Sequence, residues 1–91
     1  MIHFSMQPYF SREFKKEHEK LLLSQKRSFG ERIALFITSP HDPILYNHKL
    51  HGKYSGCSSI NITGDIRAIF YMKDGATFFV RIGTHPDLYD E

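Results

Sequence analysis

Apolar side chains recur with a helical period in the first part of the chain. Three of them lie four and seven residues apart, which puts them on one face of a helix: Phe10, Phe14 and Leu21. Proline is tolerated in the first turn, so the pattern predicts a helix that begins at Gln7-Pro8 and runs to about Leu23. The alternating segment before it, residues 2–6, predicts a short strand.

A second helix is predicted after a capping pattern. Ser28 and Glu31 have the S-x-x-E spacing, in which serine caps the helix and glutamate returns a hydrogen bond to the serine amide. An apolar stripe follows, formed by Phe29, Ile33, Phe36 and Ile37. Because Pro40 cannot continue a helix, this one is predicted to end after Ser39. Two helices with a short connection indicate a helical hairpin.

The second half of the chain alternates with the period of β-strands. Two turn signals, Thr63-Gly64 and Asp74-Gly75, separate three apolar segments. The segments predict an antiparallel meander of residues 57–62, 65–72 and 77–82. Taken as two-residue turns with glycine at positive φ, the two signals fix a register in which Ala68 lies opposite both Ser59 and Arg81.

In this register one face of the sheet is strongly apolar. It carries Ile60, Ile62, Ile69, Tyr71, Phe78, Val80 and Ile82. Arg67 shares this parity and is predicted near the end of the sheet, on the face opposite Arg81. Both helices are needed to cover the apolar face. The predicted fold class is therefore α+β, with two N-terminal helices packed on a small, mainly antiparallel sheet.

The composition suits one folded domain spanning residues 1–91. Hydrophobic residues are 41% and aromatics 14%, which argues against disorder. No apolar run approaches the roughly 20 residues of a membrane span, and the N-terminal segment lacks the order of charged and apolar residues of a signal peptide. A single cysteine, Cys57, supports neither an internal disulfide nor a metal cluster. We therefore expect a cytoplasmic protein with no membrane partner.

The charge distribution permits a polyanionic partner without requiring one. A net charge of +2 is mild for a free-standing nucleic-acid binder, but most lysines and arginines precede residue 60 and the last residues are acidic. Residues 41–56 have no consistent period and predict a long loop, which in a small domain favours function. The loop carries His41, His48, Lys49, His51 and Lys53. Its histidine spacing matches no tight zinc pattern.

Side chains suited to acid–base chemistry follow the last strand. Arg81 can hold a phosphate with two hydrogen bonds, His85 lies just past the strand, and histidine exchanges protons near neutral pH. Asp65 can orient a neighbour. Such a set is suited to metal-free RNA cleavage, in which a 2′-hydroxyl attacks phosphorus, a cation stabilises the added charge and an acid protonates the leaving oxygen. The residues alone leave this reading equal to a non-catalytic polyanion-binding surface.

Two ordered sequence blocks frame nearly half of the chain. The first is H-K-L-H-G-K-Y-S-G from His48, and the second is R-I-G-T-H-P-D-L-Y from Arg81. They resemble the H-P-L-x-G-x-[WY]-x-G and R-x-G-x-H-x-x-L-[FY] blocks of the YafQ branch of the RelE/ParE toxin superfamily. The resemblance implies the toxin of a type II toxin–antitoxin pair. Such a toxin is a ribosome-dependent endoribonuclease that cuts mRNA in the A site of the 70S ribosome, uses no metal, organic cofactor or small-molecule ligand, and is silenced by an antitoxin protein.

The resemblance also implies roles for matching residues. His85 is similar to the family's C-terminal catalytic histidine, the general acid, and His48 to its loop histidine. Asp65 resembles the acidic residue that opens the central strand, and Arg81 the strand arginine that contacts phosphate. Tyr89 stands where the family has an aromatic residue that packs on substrate or closes the site.

The chain departs from the family pattern after Gly56. Ser58, Ser59 and Asn61 stand where YafQ-like sequences have an arginine, an acid and a histidine. Asn61 can hydrogen-bond to substrate but cannot exchange a proton, so Asp65 and His48 would carry a larger share of the chemistry. Further substrate contacts are predicted from the loop and the central strand, at Lys49, Lys53 and Arg67.

Two other functions are compatible with the sequence. The ParE branch shares the fold and inhibits DNA gyrase by binding it, but it generally lacks the histidine of the R-x-G-x-H ending. The substitutions at residues 58–61 also leave room for an inactive member that only binds an antitoxin or RNA.

Overall fold

The computed structural model describes residues 8–89. Besides two short 3₁₀ helices at Pro43–Leu45 and Gly52–Tyr54, these residues form five strands and three α-helices. In chain order these are β1 (Pro8–Phe10), α1 (Arg12–Glu19), α2 (Leu23–Thr38), β2 (His48–Lys49), β3 (Ser58–Asn61), β4 (Ile66–Lys73), β5 (Ala76–Thr84) and α3 (His85–Tyr89). The strands lie in the order β1-β5-β4-β3-β2, with β1 parallel to β5 and the other pairs antiparallel. The predicted α+β class is confirmed, and the strand predicted at residues 2–6 lies outside the described residues.

The first helix begins later than its pattern predicts. Pro8 belongs to β1, and Ser11 has an extended backbone and caps α1 by accepting a hydrogen bond from the Phe14 amide at 3.0 Å. Ser11 Oγ also donates to the Val80 carbonyl at 2.9 Å, which ties the helix start to β5. A serine that caps a helix and bonds to the sheet outweighs the weak preference of proline for a first turn.

The second helix begins five residues before Ser28, so the predicted cap there is wrong. The Leu22 amide donates to the Gln25 side chain at 2.9 Å, and this bond closes the first turn of α2. Once the helix has started at Leu23, Ser28 has no terminus to cap. The predicted end is confirmed to within one residue, since α2 stops at Thr38, two residues before Pro40.

One of the two predicted turns has the wrong length. Asp74-Gly75 is a two-residue turn with both residues at positive φ, as predicted. At the other turn Thr63 Oγ1 accepts bonds from the amides of Asp65 and Ile66, which makes a longer loop without positive φ at Gly64. Ile60, rather than Ser59, therefore lies opposite Ala68.

A register shift in the β4–β5 ladder changes which residues of β5 face the helices. It falls between Ile69 and Phe70, so that Arg81 pairs with Ile69 and not with Ala68. The face covered by α1 and α2 consequently carries Ile60, Ile62, Ile66, Ala68, Phe70, Phe79 and Ile82. Four residues predicted for this face lie on the other one: Ile69, Tyr71, Phe78 and Val80. The predicted apolar face was therefore wrong for most of β4 and β5.

Each face of the sheet has its own apolar cluster. The larger lies under the helices, where Phe14, Phe29 and Phe36 pack against Phe79. The smaller lies on the opposite face and contains Tyr54, Ile69 and Leu88. Because Leu88 belongs to α3, the smaller cluster holds that short helix on the sheet. No helix within residues 8–89 is long and apolar enough to cross a membrane.

We expect Leu88→Ala to lower the free energy of unfolding by about 2–5 kcal/mol, because Leu88 is 1% exposed and truncation leaves a cavity. Leu22→Ala is the matched control, since the same atoms are removed from a side chain that is 67% exposed. Urea denaturation followed by circular dichroism measures both. Equal losses for the two variants would show that α3 is not held by Leu88.

Candidate functional site

The start of α3 is fixed by two reciprocal hydrogen bonds. The Thr84 amide donates to Asp87 Oδ2 at 3.3 Å, and the Asp87 amide donates to Thr84 Oγ1 at 3.2 Å. Pro86 lies in the first turn, where its missing amide proton is not needed. Gly83 allows close approach of the helix, because a Cβ at this position would lie only 3.2 Å from Asp87 Cβ. These contacts place His85, exposed, at the first position of the helix.

Three predicted site residues line one cavity at this end of the sheet. His85 shares a cavity of about 350 Å³ with Asp65 and Arg67, and the remaining lining residues are Gly64, Thr84 and Pro86. Within residues 8–89 the Arg67 guanidinium makes one long hydrogen bond, in which Nη1 donates to the Gly64 carbonyl at 3.5 Å. Most of its donors therefore face the cavity or solvent. Arg67 was predicted on the face opposite the site, and the longer turn before β4 reverses that assignment.

Tyr89 lies at the site and packs on the histidine. The rings of His85 and Tyr89 are stacked with centroids 4.5 Å apart and an interplanar angle of 28°. On its other side Tyr89 meets Tyr54 edge-on at 5.3 Å. One face of the imidazole is thus covered, which restricts rotation of the ring and so orients its two in-plane nitrogens.

Arg81 is engaged by protein groups. Its Nε and Nη2 donate to the Glu17 carboxylate at 2.7–3.0 Å, and its Nη1 donates to the Tyr54 hydroxyl at 2.9 Å. The two side chains of the ion pair are 23% and 20% exposed. The hydrogen bond to Glu17 raises the pKa of Arg81, and burial raises that of Tyr54. The predicted phosphate contact of Arg81 stays a prediction.

The structure does not bring His48 into the His85 cavity. His48 lies on β2 opposite Ser59, and two further strand pairings separate it from Arg81, a distance of about 14 Å across the sheet. Its Nδ1 lies 2.9 Å from the Tyr46 carbonyl. Because a carbonyl only accepts, Nδ1 carries the proton of this bond and Nε2 is left to meet a ligand.

The other predicted contacts are spread around the site. Asn61 pairs with Arg67 across the sheet, and its buried Oδ1 has no hydrogen-bond partner among the described residues. Lys53 Nζ lies 3.3 Å from the Leu88 carbonyl, at the end of α3. Lys49 is exposed on the edge strand β2, away from His85.

Sequence reasoning missed two residues of this region, Glu17 and Tyr54. Tyr54 stands in the first of the two sequence blocks, so the K-Y-S-G pattern was an available signal. Glu17 is one of three glutamates on α1, and the sequence does not distinguish it from Glu13 or Glu19.

No protein-family model matches the chain, and no curated protein matches it in sequence. Solved structures do. A copper-bound mutant toxin from Helicobacter pylori is 27% identical, with a TM-score of 0.77 and 91% of this chain and 98% of that one covered. A chain of the E. coli DinJ–YafQ toxin–antitoxin complex is 25% identical, with a TM-score of 0.73 and coverages of 93% and 98%.

A structure of YafQ from E. coli strain BL21(DE3) has a TM-score of 0.74 at 23% identity, covers 91% of this chain and 97% of its own, and bears on the fold alone. The α+β fold agrees with these likenesses. The chain is therefore similar to the YafQ-like toxins of the RelE/ParE superfamily.

Proposed function

We propose that this protein is the toxin of a toxin–antitoxin pair and that it cleaves mRNA on the translating ribosome. The observation that carries the proposal is the cavity shared by His85, Arg67 and Asp65. It places an imidazole, a guanidinium with free donors and a carboxylate around a space wide enough for a phosphodiester. RNA cleavage by the neighbouring 2′-hydroxyl requires an acid, a base and a cation of this kind.

In the proposed reaction the 2′-hydroxyl oxygen forms a bond to phosphorus while the bond from phosphorus to the 5′-oxygen breaks. Arg67 donates hydrogen bonds to the phosphate oxygens, where charge accumulates. His85 gives its proton to the departing 5′-oxygen, and Asp65 accepts the proton of the 2′-hydroxyl. The products are a 2′,3′-cyclic phosphate and a 5′-hydroxyl end. His48 does not line this cavity, so it shares the proton transfer only if β2 moves.

The remaining predicted residues contact RNA in this proposal. Asn61 lies beside Arg67, and because its amide oxygen is buried, the side chain must turn outward to contact a base or ribose. Tyr89 packs on one face of the His85 imidazole. Lys49 and Lys53 bind phosphates of the messenger or the ribosome. The ribosome supplies much of the substrate positioning, which explains a net charge of only +2.

The proposed partners are an antitoxin protein and mRNA in the A site, in the cytoplasm and without a metal or organic cofactor. The antitoxin proposal is supported by complexes among the similar structures, DinJ–YafQ from E. coli and RelBE2 from Mycobacterium tuberculosis. The second of these is 14% identical to this chain and adds only a likeness of fold.

A cell-free translation reaction tests the proposal. The purified protein should cut a reporter mRNA in the reaction and leave uncut the same mRNA with its start codon removed, because only the first is carried through the A site. Intact translated mRNA, together with loss of supercoiling by added DNA gyrase, would instead support a ParE-like activity.

A further inference from the structure

A polar network connects α1 to the last turn of α3. Glu17 holds the Arg81 guanidinium through two nitrogens, and Arg81 donates to the Tyr54 hydroxyl at 2.9 Å. Tyr54 in turn donates to the Leu88 carbonyl at 2.6 Å. Glu17 Oε1 also accepts from the Ile82 amide at 3.0 Å, next to the shifted part of the β4–β5 ladder.

The helix at the end of this network needs outside support. α3 has only five residues, and a helix of that length is not stable by itself. At its start α3 is supported by the Thr84–Asp87 hydrogen bonds. At its end it is supported by the buried Leu88 side chain, the hydrogen bonds of Tyr54 and Lys53 to the Leu88 carbonyl, and the edge contact between Tyr54 and Tyr89. Tyr54 therefore fixes both the backbone of α3 and the ring that stacks on His85.

Stability alone is a weak reason for such a network. Removing a carboxylate and a guanidinium from water costs about as much as their attraction returns, so apolar side chains would fill the space as well. Apolar side chains would not set the orientation of a ring and a carbonyl. Hydrogen bonds from a planar guanidinium and a phenol are directional, and here they converge on the helix that carries His85.

We propose that Glu17 and Tyr54, linked by Arg81, are positioning residues for His85. This inference rests on the proposed RNA cleavage. It assigns Arg81 to the support of α3 and leaves the cavity-lining Arg67 as the cation nearest the reacting phosphate. None of the three network residues touches the reacting atoms.

Tyr54→Phe tests the inference with little disturbance, because it removes one hydroxyl and keeps the ring against Tyr89. We expect kcat for cleavage on programmed ribosomes to fall about tenfold, the effect of losing one well-placed hydrogen bond, with KM unchanged. Tyr71→Phe is the control, since Tyr71 has no described hydroxyl bond and packs on Phe78. Glu17→Gln keeps an acceptor for Arg81 and should retain more activity than Glu17→Ala.

A second readout does not depend on activity. In the wild type, two-dimensional NMR should show cross-relaxation between the rings of His85 and Tyr89, and Tyr54→Phe should weaken it at an unchanged melting temperature. A variant that keeps this ring contact, or one that cleaves as fast as wild type, overturns the inference. If the wild-type protein does not cleave mRNA at all, the proposed function fails, and the ring contact alone still decides whether the network positions His85.

Discussion

Replacing His85 with glutamine is expected to lower the rate of mRNA cleavage by about 10²–10⁴-fold, the usual contribution of a positioned general acid. Glutamine keeps much of the size and the hydrogen-bonding capacity but cannot supply the proton. The side chain is exposed and its described contact is the stack with Tyr89, so the fold should not depend on it. Single-turnover cleavage on programmed ribosomes measures the effect.

A second histidine variant separates acid catalysis at His85 from a general effect of losing an imidazole. His41→Gln is the control, because His41 is an exposed loop histidine outside the cavity. A His85→Gln protein that cuts within a few fold of wild type would remove His85 from the mechanism.

Replacing Arg67 with glutamine is expected to reduce cleavage by about 10²–10³-fold, because a donor aimed at the charge that develops on phosphate is lost. Arg67→Lys should recover only part of the rate, since lysine restores the charge without the planar pair of donors. Arg27→Gln, which removes an exposed arginine from α2, is the matched control.

If Arg67 is not needed for cleavage, Arg81 becomes the candidate for the phosphate-binding cation. If Arg67→Gln cleaves at the wild-type rate, the cation must come from elsewhere, and the phosphate contact predicted for Arg81 becomes the better explanation. Arg81 would then have to leave Glu17 in order to bind substrate. In that case Glu17→Gln should accelerate cleavage, which is opposite to its effect as a support of α3.

The sequence was sufficient to predict the fold class, the β4–β5 hairpin and the proximity of His85 to Tyr89. Asp and Gly both adopt positive φ readily, so Asp74-Gly75 correctly predicted the two-residue turn of the β4–β5 hairpin. The stretch from Arg81 to Tyr89 predicted a candidate site, because an ordinary loop does not need a histidine and an aromatic residue at that spacing. His85 and Tyr89 indeed lie in contact.

The register could not be read from the same pattern. Both faces of β4 are buried near its middle, Ala68 and Phe70 under the helices and Ile69 under α3 and Tyr54. Alternation identifies a buried face only when the other face is polar. The sequence pattern of a strand that is buried on both faces therefore does not reveal a register shift of one residue. The side-chain bonds of Thr63 lengthened the preceding turn, and this moved Arg67 to the face of the site.

The long-range partners of the site were also beyond sequence reasoning. Glu17 lies 64 residues before Arg81, and their ion pair depends on how α1 packs against β5. No spacing rule on a single sequence selects Glu17 from the neighbouring acidic residues of the helix.

In the proposed reaction a 2′-hydroxyl attacks phosphate in an mRNA held in the ribosomal A site, with His85 as the acid. The most direct test is to identify both new ends of a messenger cut by the purified protein on programmed 70S ribosomes. We expect a single cut in the A-site codon, with a 2′,3′-cyclic phosphate on the upstream fragment and a 5′-hydroxyl on the downstream one. A 5′-phosphate end, or equal cutting of the same RNA without ribosomes, would contradict it.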